Sequence, residues 1–188
     1  MATQFAFTLR VRECAERLSA AGVDALGALF DLTSQRLVRF AIALARNQCD
    51  AEDAVQTALV RLASEPELLA AAQCPWAYLL RMVRNEALLI VRRNQRSCPA
   101  GDMGDLITVC RVDAAERQES QQAVWTAIRR LPADQAEVVV LKIWEEMTFA
   151  EIGQILELSP NTAASRYKYA MAKLATQLQR QHHEVQRD

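Results

Sequence analysis

The chain has 188 residues, 51% of them hydrophobic, and a formal net charge of −1, so it can bury a core but is not a uniformly basic DNA-coating protein. No apolar run approaches the roughly 18 residues that span a bilayer, and the N-terminus lacks a signal-peptide pattern, so we expect a cytoplasmic protein. Only five glycines and five prolines interrupt a sequence rich in helix-forming residues, which predicts an all-α fold.

The first two predicted elements are helices separated by a glycine break. Residues from about Thr3 to Ala21 have a short amphipathic pattern, which Gly22-Val23-Asp24 interrupts. Asp24 is expected to be the N-cap of a second helix that runs to about Asn47. Apolar residues at helical spacing predict the core side of this second helix: Leu26, Leu29, Phe30, Leu37, Phe40, Ala41 and Leu44.

A third helix is predicted to begin at Asp50, which we interpret as its N-cap. Glu52 and Asp53 follow in the first turn, where carboxylates complement the positive end of the helix dipole. The stretch from Asp50 to Glu67 holds five acids and one arginine, so this helix is expected to carry an acidic surface. A break at Pro66 and a short alanine-rich turn are expected to follow it.

The fourth predicted helix opens at Pro75 and is basic. Its arginines outnumber its single acid, Glu86, by four: Arg81, Arg84, Arg92, Arg93 and Arg96. Trp76 and Tyr78 stand at its start, and basic residues with nearby aromatic rings can hold a single nucleic-acid strand through phosphate contacts and base stacking. A structural interpretation of this helix remains open beside nucleic-acid binding. Trp76 fits a core anchor better than a stacking residue, and the arginines also fit an ordinary solvated helix face.

A segment without helical periodicity separates this helix from the rest. Residues 97–112 include a proline and two glycines, which is typical of a linker. Helical pattern resumes near Asp113, and Asp134 is expected to cap a helix that holds Val138, Leu141 and Trp144. The sequence therefore predicts two small helical domains joined by a flexible linker. The predicted division is an N-terminal extension at 1–21, expected to be helical, a first domain at 22–96, the linker at 97–113, a second domain at 114–181 and a tail at 182–188.

The last third of the chain has the pattern of a helix-turn-helix. Thr148 and Glu151 have the spacing of a capping box, and Met147 and Ile152 are placed for a hydrophobic staple. Ser159-Pro160 predicts a second helix start, with serine as N-cap and proline at the first helical position. Two capped helices joined by a tight turn indicate a DNA-binding unit.

The second of these helices divides into two faces. Its core side is predicted from apolar spacing: Ala163, Tyr167, Ala170, Met171, Leu174 and Leu178. The other side is left for solvent or DNA: Asn161, Thr162, Ser165, Arg166, Lys168, Tyr169 and Lys173. From Asn161 to Arg180 there are four basic residues and no acid, which suits a helix presented to phosphates. An ordinary solvated helix in a bundle is the alternative.

Nothing in the sequence indicates a metal, a cofactor or a catalytic site. The five cysteines lack C-x-x-C spacing, and the two histidines, His182 and His183, both lie in the polar tail. We expect reduced thiols that act as small hydrophobic side chains. No glycine-rich phosphate loop or Ser/His/Asp set is present, so we expect a protein that is not an enzyme.

In their order and spacing, three motifs resemble the extracytoplasmic-function (ECF) subfamily of sigma-70 RNA polymerase sigma factors. The run from Asp50 to Gln56, read as D-A-E-D-A-V-Q, resembles the signature that docks on the polymerase clamp helices. The segment from Trp76 to Asn85, with Arg92-Arg93, resembles the part that melts and reads the minus-ten element. Four segments resemble the minus-thirty-five reader: Leu131-Pro132, Glu137-Val138, Phe149-Ala150-Glu151-Ile152 and Ser159 through Arg166.

This resemblance implies a sigma factor that binds core RNA polymerase and directs promoter-specific initiation, with an anti-sigma factor as a further partner. It implies no cofactor, no metal, no small-molecule substrate and no direct membrane insertion. Implied core polymerase contacts are Asp50, Glu52, Asp53 and Gln56. Implied minus-ten contacts are Trp76, Tyr78, Arg81, Arg84, Asn85, Arg92 and Arg93. Implied minus-thirty-five contacts are Asn161, Thr162, Ser165, Arg166, Lys168 and Tyr169, with Arg166 the first candidate.

The chain departs from the family pattern at three places. Glu157 stands in the helix-turn-helix turn where the family usually has glycine, and a left-handed conformation there would cost on the order of 1 kcal/mol. Ala164 lacks the basic side chain common at the start of the recognition helix. Leu89 stands where the minus-ten helix often has aspartate.

Two other functions are compatible with the residues. A stand-alone helix-turn-helix regulator, with an N-terminal dimerisation or sensing domain, would bind DNA without core polymerase. An enzyme hidden in an all-helical fold would need convergent titratable residues, which the sequence does not indicate.

Overall fold

The computed structural model describes the backbone of residues 2–97 and 118–185 and the side chains of residues 4–96 and 124–179. These residues form helices and no strand, which confirms the all-α prediction. The first unit holds α1 (Ala2–Ala21), α2 (Leu26–Ala45), α3 (Gln48–Ser64), α4 (Pro66–Ala71) and α5 (Pro75–Ser97), with a 3-10 helix at Gly22–Ala25. The second unit holds α6 (Gln118–Arg129), α7 (Ala133–Ile143), α8 (Phe149–Leu156) and α9 (Pro160–Val185).

The predicted linker lies outside the described residues apart from Ser97, which ends α5, and so does the predicted start of the second domain at 114. The predicted domain boundaries therefore stay predictions. The predicted tail begins inside a helix, because α9 continues to Val185. His182 and His183 consequently lie on the last turns of α9.

The core of the first unit forms where α2, α3 and α5 pack against one another. The apolar face of α5 is buried at six positions: Trp76, Leu79, Leu80, Val83, Ala87 and Ile90. On α2 the prediction is wrong for Phe30, which is 45% exposed, whereas the preceding Leu29 is fully buried. One residue turns a helix by about 100°, so Phe30 points away from the side that α3 and α5 cover.

Helix α1 belongs to the same core. Val11, Ala15 and Leu18 are completely buried on one face, and α1 packs on α2, α4 and α5. The segment after Pro66 is helix α4 and not the predicted turn, because a proline at the first helical position starts a helix as readily as it ends one. The N-terminal segment and α4 thus cover α5 from one side.

Three predicted N-caps are wrong. Asp24 lies within the 3-10 helix, and α2 begins after Ala25 without a side-chain cap. Asn47, and not Asp50, caps α3: its extended backbone lets its side-chain oxygen accept the Asp50 amide at 2.7 Å. The third case, Asp134, lies in the first turn of α7.

Pro132 takes the N-cap position of α7. Its extended backbone directs its carbonyl oxygen to the amides of Gln135 and Ala136, each at 2.9 Å. Proline has no amide hydrogen that would need a partner there, which suits it to a helix start. Asp134 is left to complement the helix dipole.

The second unit is held by aliphatic and aromatic contacts among its four helices. Val138, Leu141 and Ile152 are fully buried. Trp125 of α6 packs on Trp144, with ring centroids 4.9 Å apart. Between α8 and α9, the rings of Phe149 and Tyr167 are 5.7 Å apart. These contacts fix how α8 and α9 lie against α7.

Candidate nucleic-acid interface

The helix-turn-helix begins at a complete capping box. The Thr148 hydroxyl accepts the Glu151 amide at 3.3 Å, and the Glu151 carboxylate accepts the Thr148 amide at 2.7 Å. Lys142 of α7 adds a bond from its ammonium group to the Met147 carbonyl at 2.9 Å. The predicted capping box is confirmed, and α8 starts at a fixed position relative to α7.

The turn between α8 and α9 is tight. Glu157 has left-handed dihedral angles, φ 59° and ψ 45°, as expected for a position where glycine is favoured. The Leu158 amide donates to the Gly153 carbonyl at 2.9 Å. A Cβ atom placed on Gly153 would lie only 2.6 Å from the Leu158 carbonyl oxygen. The glycine is therefore needed for the close approach of the turn to α8.

Helix α9 starts as predicted from Ser159-Pro160. The Thr162 amide donates to the Ser159 hydroxyl at 3.0 Å. Five predicted contact residues are exposed along the first turns: Asn161, Thr162, Ser165, Lys168 and Tyr169. Tyr169 has 65% of its surface in solvent, and Met171, predicted to face the core, is 37% exposed. Positions three and four apart share one helix face, so the five exposed contact residues form a continuous polar strip.

Arg166 behaves differently from its neighbours on α9. Its guanidinium lies 3.5 Å from the Asp134 carboxylate and 3.7 Å from the Glu137 carboxylate, both on α7. The Glu137 side chain is 2% exposed, and that of Arg166 is 31% exposed. Arg166 therefore bridges the recognition helix to its supporting helix, and a DNA contact from it stays a prediction.

Helix α5 presents a second polar strip, on the side opposite its buried face. Exposed residues recur at helical spacing along it: Arg81, Asn85, Leu89, Arg92, Arg93 and Arg96. Arg84 is half-buried beside the strip. We call these six exposed residues the α5 strip. It carries four arginines and no acid, which gives it a strongly positive local charge.

A surface cavity of about 200 Å³ adjoins the N-terminal half of this strip. Tyr78, Arg81 and Asn85 of α5, all predicted minus-ten residues, line it together. Arg61 of α3 lies opposite and forms an ion pair with Glu86, a buried carboxylate on α5. Sequence reasoning missed Arg61, because its partner lies on another helix and no local spacing links the two.

Trp76 lies in the core, so the minus-ten contact that the family resemblance implied for it is wrong and the core-anchor interpretation is confirmed. Its side chain is 1% exposed, and the Phe7 ring of α1 packs on it edge-to-face at a centroid distance of 4.9 Å. The Arg36 guanidinium lies 3.8 Å from the Phe7 ring centroid and 5.4 Å from that of Trp76. The ring is thus a core anchor beneath α1, because burial of a large aromatic surface is strongly favourable. It is not available here for base stacking.

The predicted polymerase-binding residues on α3 fall into two pairs. Asp53 and Gln56 are exposed on one face. Asp50 is tied down, since its carboxylate accepts hydrogen bonds from Asn47 at 2.6 Å and from Asn94 of α5 at 2.8 Å.

The second member of the tied pair is Glu52, whose carboxylate accepts from the Gln48 amide group at 2.6 Å. Asp53 and Gln56 therefore offer a docking surface, whereas Asp50 fastens the start of α3 to the end of α5.

Among the described residues, no cluster of His, Cys, Asp and Glu side chains has the arrangement to hold a metal ion. Nor is any described helix long and apolar enough to cross a membrane. Cys14, Cys49 and Cys74 carry free thiols, and the last two are exposed, so the expectation of small hydrophobic cysteines is wrong for them.

Comparison with known families matches both units. The family model described as Sigma-70 region 2 matches residues 29–97, and the one described as Sigma-70, region 4 matches residues 121–174. The two matches together cover more than half of the chain. The chain belongs to the sigma-70 family of RNA polymerase sigma factors. The matches to both units support a sigma factor over the stand-alone regulator.

Proteins of similar sequence are named sigma factors, one of them an ECF sigma factor, and this chain is of that extracytoplasmic-function type. The RNA polymerase sigma-E factor of Streptomyces avermitilis is 32% identical over 145 residues, which are 76% of this chain and 79% of that protein. The ECF RNA polymerase sigma factor SigM of Mycobacterium tuberculosis is 29% identical over 147 residues, 78% of this chain and 74% of SigM.

Solved structures with a similar fold include two complexes. One is the sigma factor RpoE in complex with the anti-sigma factor NepR from Bartonella quintana, with a TM-score of 0.63 and 21% identity over 84% of this sigma factor and 98% of that chain. The other is CnrH in complex with the cytosolic domain of CnrY, with a TM-score of 0.61 and 21% identity over 89% and 96% of the two chains.

Proposed function

We propose that this sigma factor divides its contacts among three exposed surfaces, one each on α3, α5 and α9. As a sigma factor it binds core RNA polymerase and directs promoter-specific initiation. The observation that carries the residue assignment is the α5 strip, where a cationic helix face adjoins a cavity lined by an aromatic ring, an arginine and an amide. These are the three kinds of group that hold an unpaired base and its phosphates.

The α5 surface is assigned to the opened minus-ten element. From Arg81 to Arg96 the helix rises about 22 Å, close to the length of six phosphates at duplex spacing. Arg92 and Arg93 are placed to contact the backbone of a single strand. Tyr78 and Asn85 line the cavity with Arg81 and are placed to stack on a displaced base and to hydrogen-bond with it.

The α9 surface is assigned to the minus-thirty-five element. A helix-turn-helix inserts the start of its second helix into the major groove, which brings Asn161, Thr162 and Ser165 to base edges. Lys168 and Tyr169, one turn further on, are placed for phosphates at the groove wall. Arg166 contributes by holding the angle of α9 against α7, and its DNA contact would require the guanidinium to leave the Asp134 and Glu137 carboxylates.

The α3 surface is assigned to core polymerase. Asp53 and Gln56 are the direct contacts in this proposal, and charged groups at such a surface give fast association and correct register. Asp50 and Glu52 support them through bonds within the chain. Their substitution would therefore weaken core binding through loss of helix geometry.

An anti-sigma factor is the expected regulatory partner. We also expect the protein to act in the cytoplasm and to catalyse no reaction of its own. The two solved structures named above contain a bound partner, the anti-sigma factor NepR in one and the cytosolic domain of CnrY in the other. The similar proteins of known name are sigma factors, which supports a role that is not enzymatic.

Open-complex formation tests the α5 assignment. Holoenzyme assembled from purified core polymerase is first used to select promoters by run-off transcription from a genomic library. Permanganate reactivity of unpaired thymines is then measured for Arg81→Ala and Arg92→Ala, with Arg17→Ala, an exposed arginine on α1, as the matched control. The two α5 variants are expected to lose reactivity while core binding persists. Wild-type reactivity in both would contradict the assignment.

A further inference from the structure

Leu89 is an apolar residue in the middle of the α5 strip. Its side chain is 54% exposed, although most large apolar side chains of α5 are buried. Asn85 lies one turn before it, and Arg92 and Arg93 lie one turn after it on the same helix face. Among the exposed residues of the α5 strip Leu89 is the apolar one, so contact with an apolar group of a bound strand would remove its side chain from water, which is favourable.

The surroundings of Leu89 restrict what that partner can be. The four arginines of the α5 strip attract an anionic chain, and the exposed positions carry no acid that would repel it. Asn85, next to Leu89, also lines the cavity described above. A strand whose phosphates follow the arginines therefore places its bases across Asn85 and Leu89.

Leucine can read only one feature of such a base. It has neither a donor nor an acceptor, so it cannot distinguish bases by hydrogen bonds. Among the four DNA bases, only thymine carries an apolar substituent, the C5 methyl group. Contact with that methyl group would remove both it and the leucine side chain from water.

We propose that Leu89 is a specificity-determining residue that selects thymine, by packing on its C5 methyl group, at one position of the opened promoter strand. This inference rests on the proposed function of the α5 strip. Arg92 and Arg93 hold the strand whatever its sequence, and Leu89 adds the discrimination.

The test removes the methyl group from the DNA. Each thymine in the opened segment of a fork-junction promoter is replaced in turn by deoxyuridine, and holoenzyme affinity is measured. One position is expected to lose about fourfold, which is the factor for one buried methyl-sized group. At that position cytosine should bind as weakly as deoxyuridine, and 5-methylcytosine should regain most of the loss.

Variants of the protein link this effect to Leu89. Leu89→Ala is expected to reduce the thymine-to-deoxyuridine ratio below about twofold, whereas Leu89→Met, which keeps an apolar side chain of similar volume, preserves it. Val23→Ala, at a valine that is 63% exposed in the 3-10 helix, serves as the control and keeps the wild-type ratio.

Two results would overturn the proposal, and they differ from failure of the α5 assignment. The first is that no position responds to deoxyuridine while Arg92→Ala still weakens binding to all sequences. The second is that the response persists unchanged in Leu89→Ala. If Arg92→Ala leaves affinity unchanged as well, the α5 strip does not hold the strand, and both proposals fall.

Discussion

Replacement of Glu157 by glycine should stabilise the second unit. Glu157 ends α8 with φ 59° and ψ 45°, a left-handed conformation that costs an L-residue roughly 1–2 kcal/mol. Glycine avoids this cost, although it loses about 0.5–1 kcal/mol more backbone entropy on folding. A carboxylate at the C-terminal end of a helix also opposes the helix dipole, by about 0.3–1 kcal/mol. At the middle of these ranges the net gain from Glu157→Gly is about 1.4 kcal/mol, of which about 0.7 kcal/mol comes from the backbone.

Glu157→Gln separates the two contributions. It removes the charge but leaves a side chain in the left-handed conformation, so we expect it to gain only about 0.3–1 kcal/mol, from the dipole. The difference between the glycine and glutamine variants then reports the backbone conformation alone.

Thermal unfolding of the full chain measures these gains through the fluorescence of Trp125 and Trp144, which pack together in the second unit. All variants carry Trp76→Phe, because Trp76 would otherwise add a signal from the first unit. A gain of 1 kcal/mol raises the Tm of a domain of this size by about 4–8 °C. If the glycine and glutamine variants melt at the same temperature, the left-handed conformation of Glu157 does not carry the predicted cost.

Two further substitutions test contacts around the recognition helix. Gly153→Ala should destabilise the second unit by about 1–3 kcal/mol in urea unfolding, because the alanine Cβ would lie 2.6 Å from the Leu158 carbonyl oxygen. Alanine normally favours helix, so an increase in stability would show that the turn is looser than described. Arg166→Ala should lower stability by about 1–2 kcal/mol without DNA present, since it removes an ion-pair partner of the buried Glu137 carboxylate. Unchanged stability combined with lost promoter binding would make Arg166 a DNA contact only.

Features that depend on neighbouring residues were predictable from the sequence. The Thr148–Glu151 capping box and the Ser159-Pro160 start involve partners within three residues, so their spacing alone specified them. The error at α3 is also local. Asn47 and Asp50 are both good N-cap residues three positions apart, and the sequence does not show which one has the extended backbone.

Features that depend on distant packing were not predictable. The spacing of α5 favoured Trp76 as a core anchor, but it did not show that Phe7 of α1 packs on its ring, because the N-terminal segment had no recognisable partner in the sequence. The bridge from Arg166 to α7 likewise joins two helices whose relative angle is set by the whole unit. Periodicity identifies which face of a helix is polar, but not which of its charges meet an opposite charge across a helix interface.

The most direct test of the central claim is the affinity of the full chain for purified core RNA polymerase. Asp53→Arg reverses a charge on the exposed face of α3, and Glu67→Arg makes the same reversal at an exposed acid on α4 as the matched control. The account predicts tight binding by the wild type and by Glu67→Arg, and a loss of about tenfold or more for Asp53→Arg with its helical content unchanged. Equal affinity of both variants would contradict the assignment of α3, and absence of binding by the folded wild type would contradict the claim that this chain acts as a sigma factor.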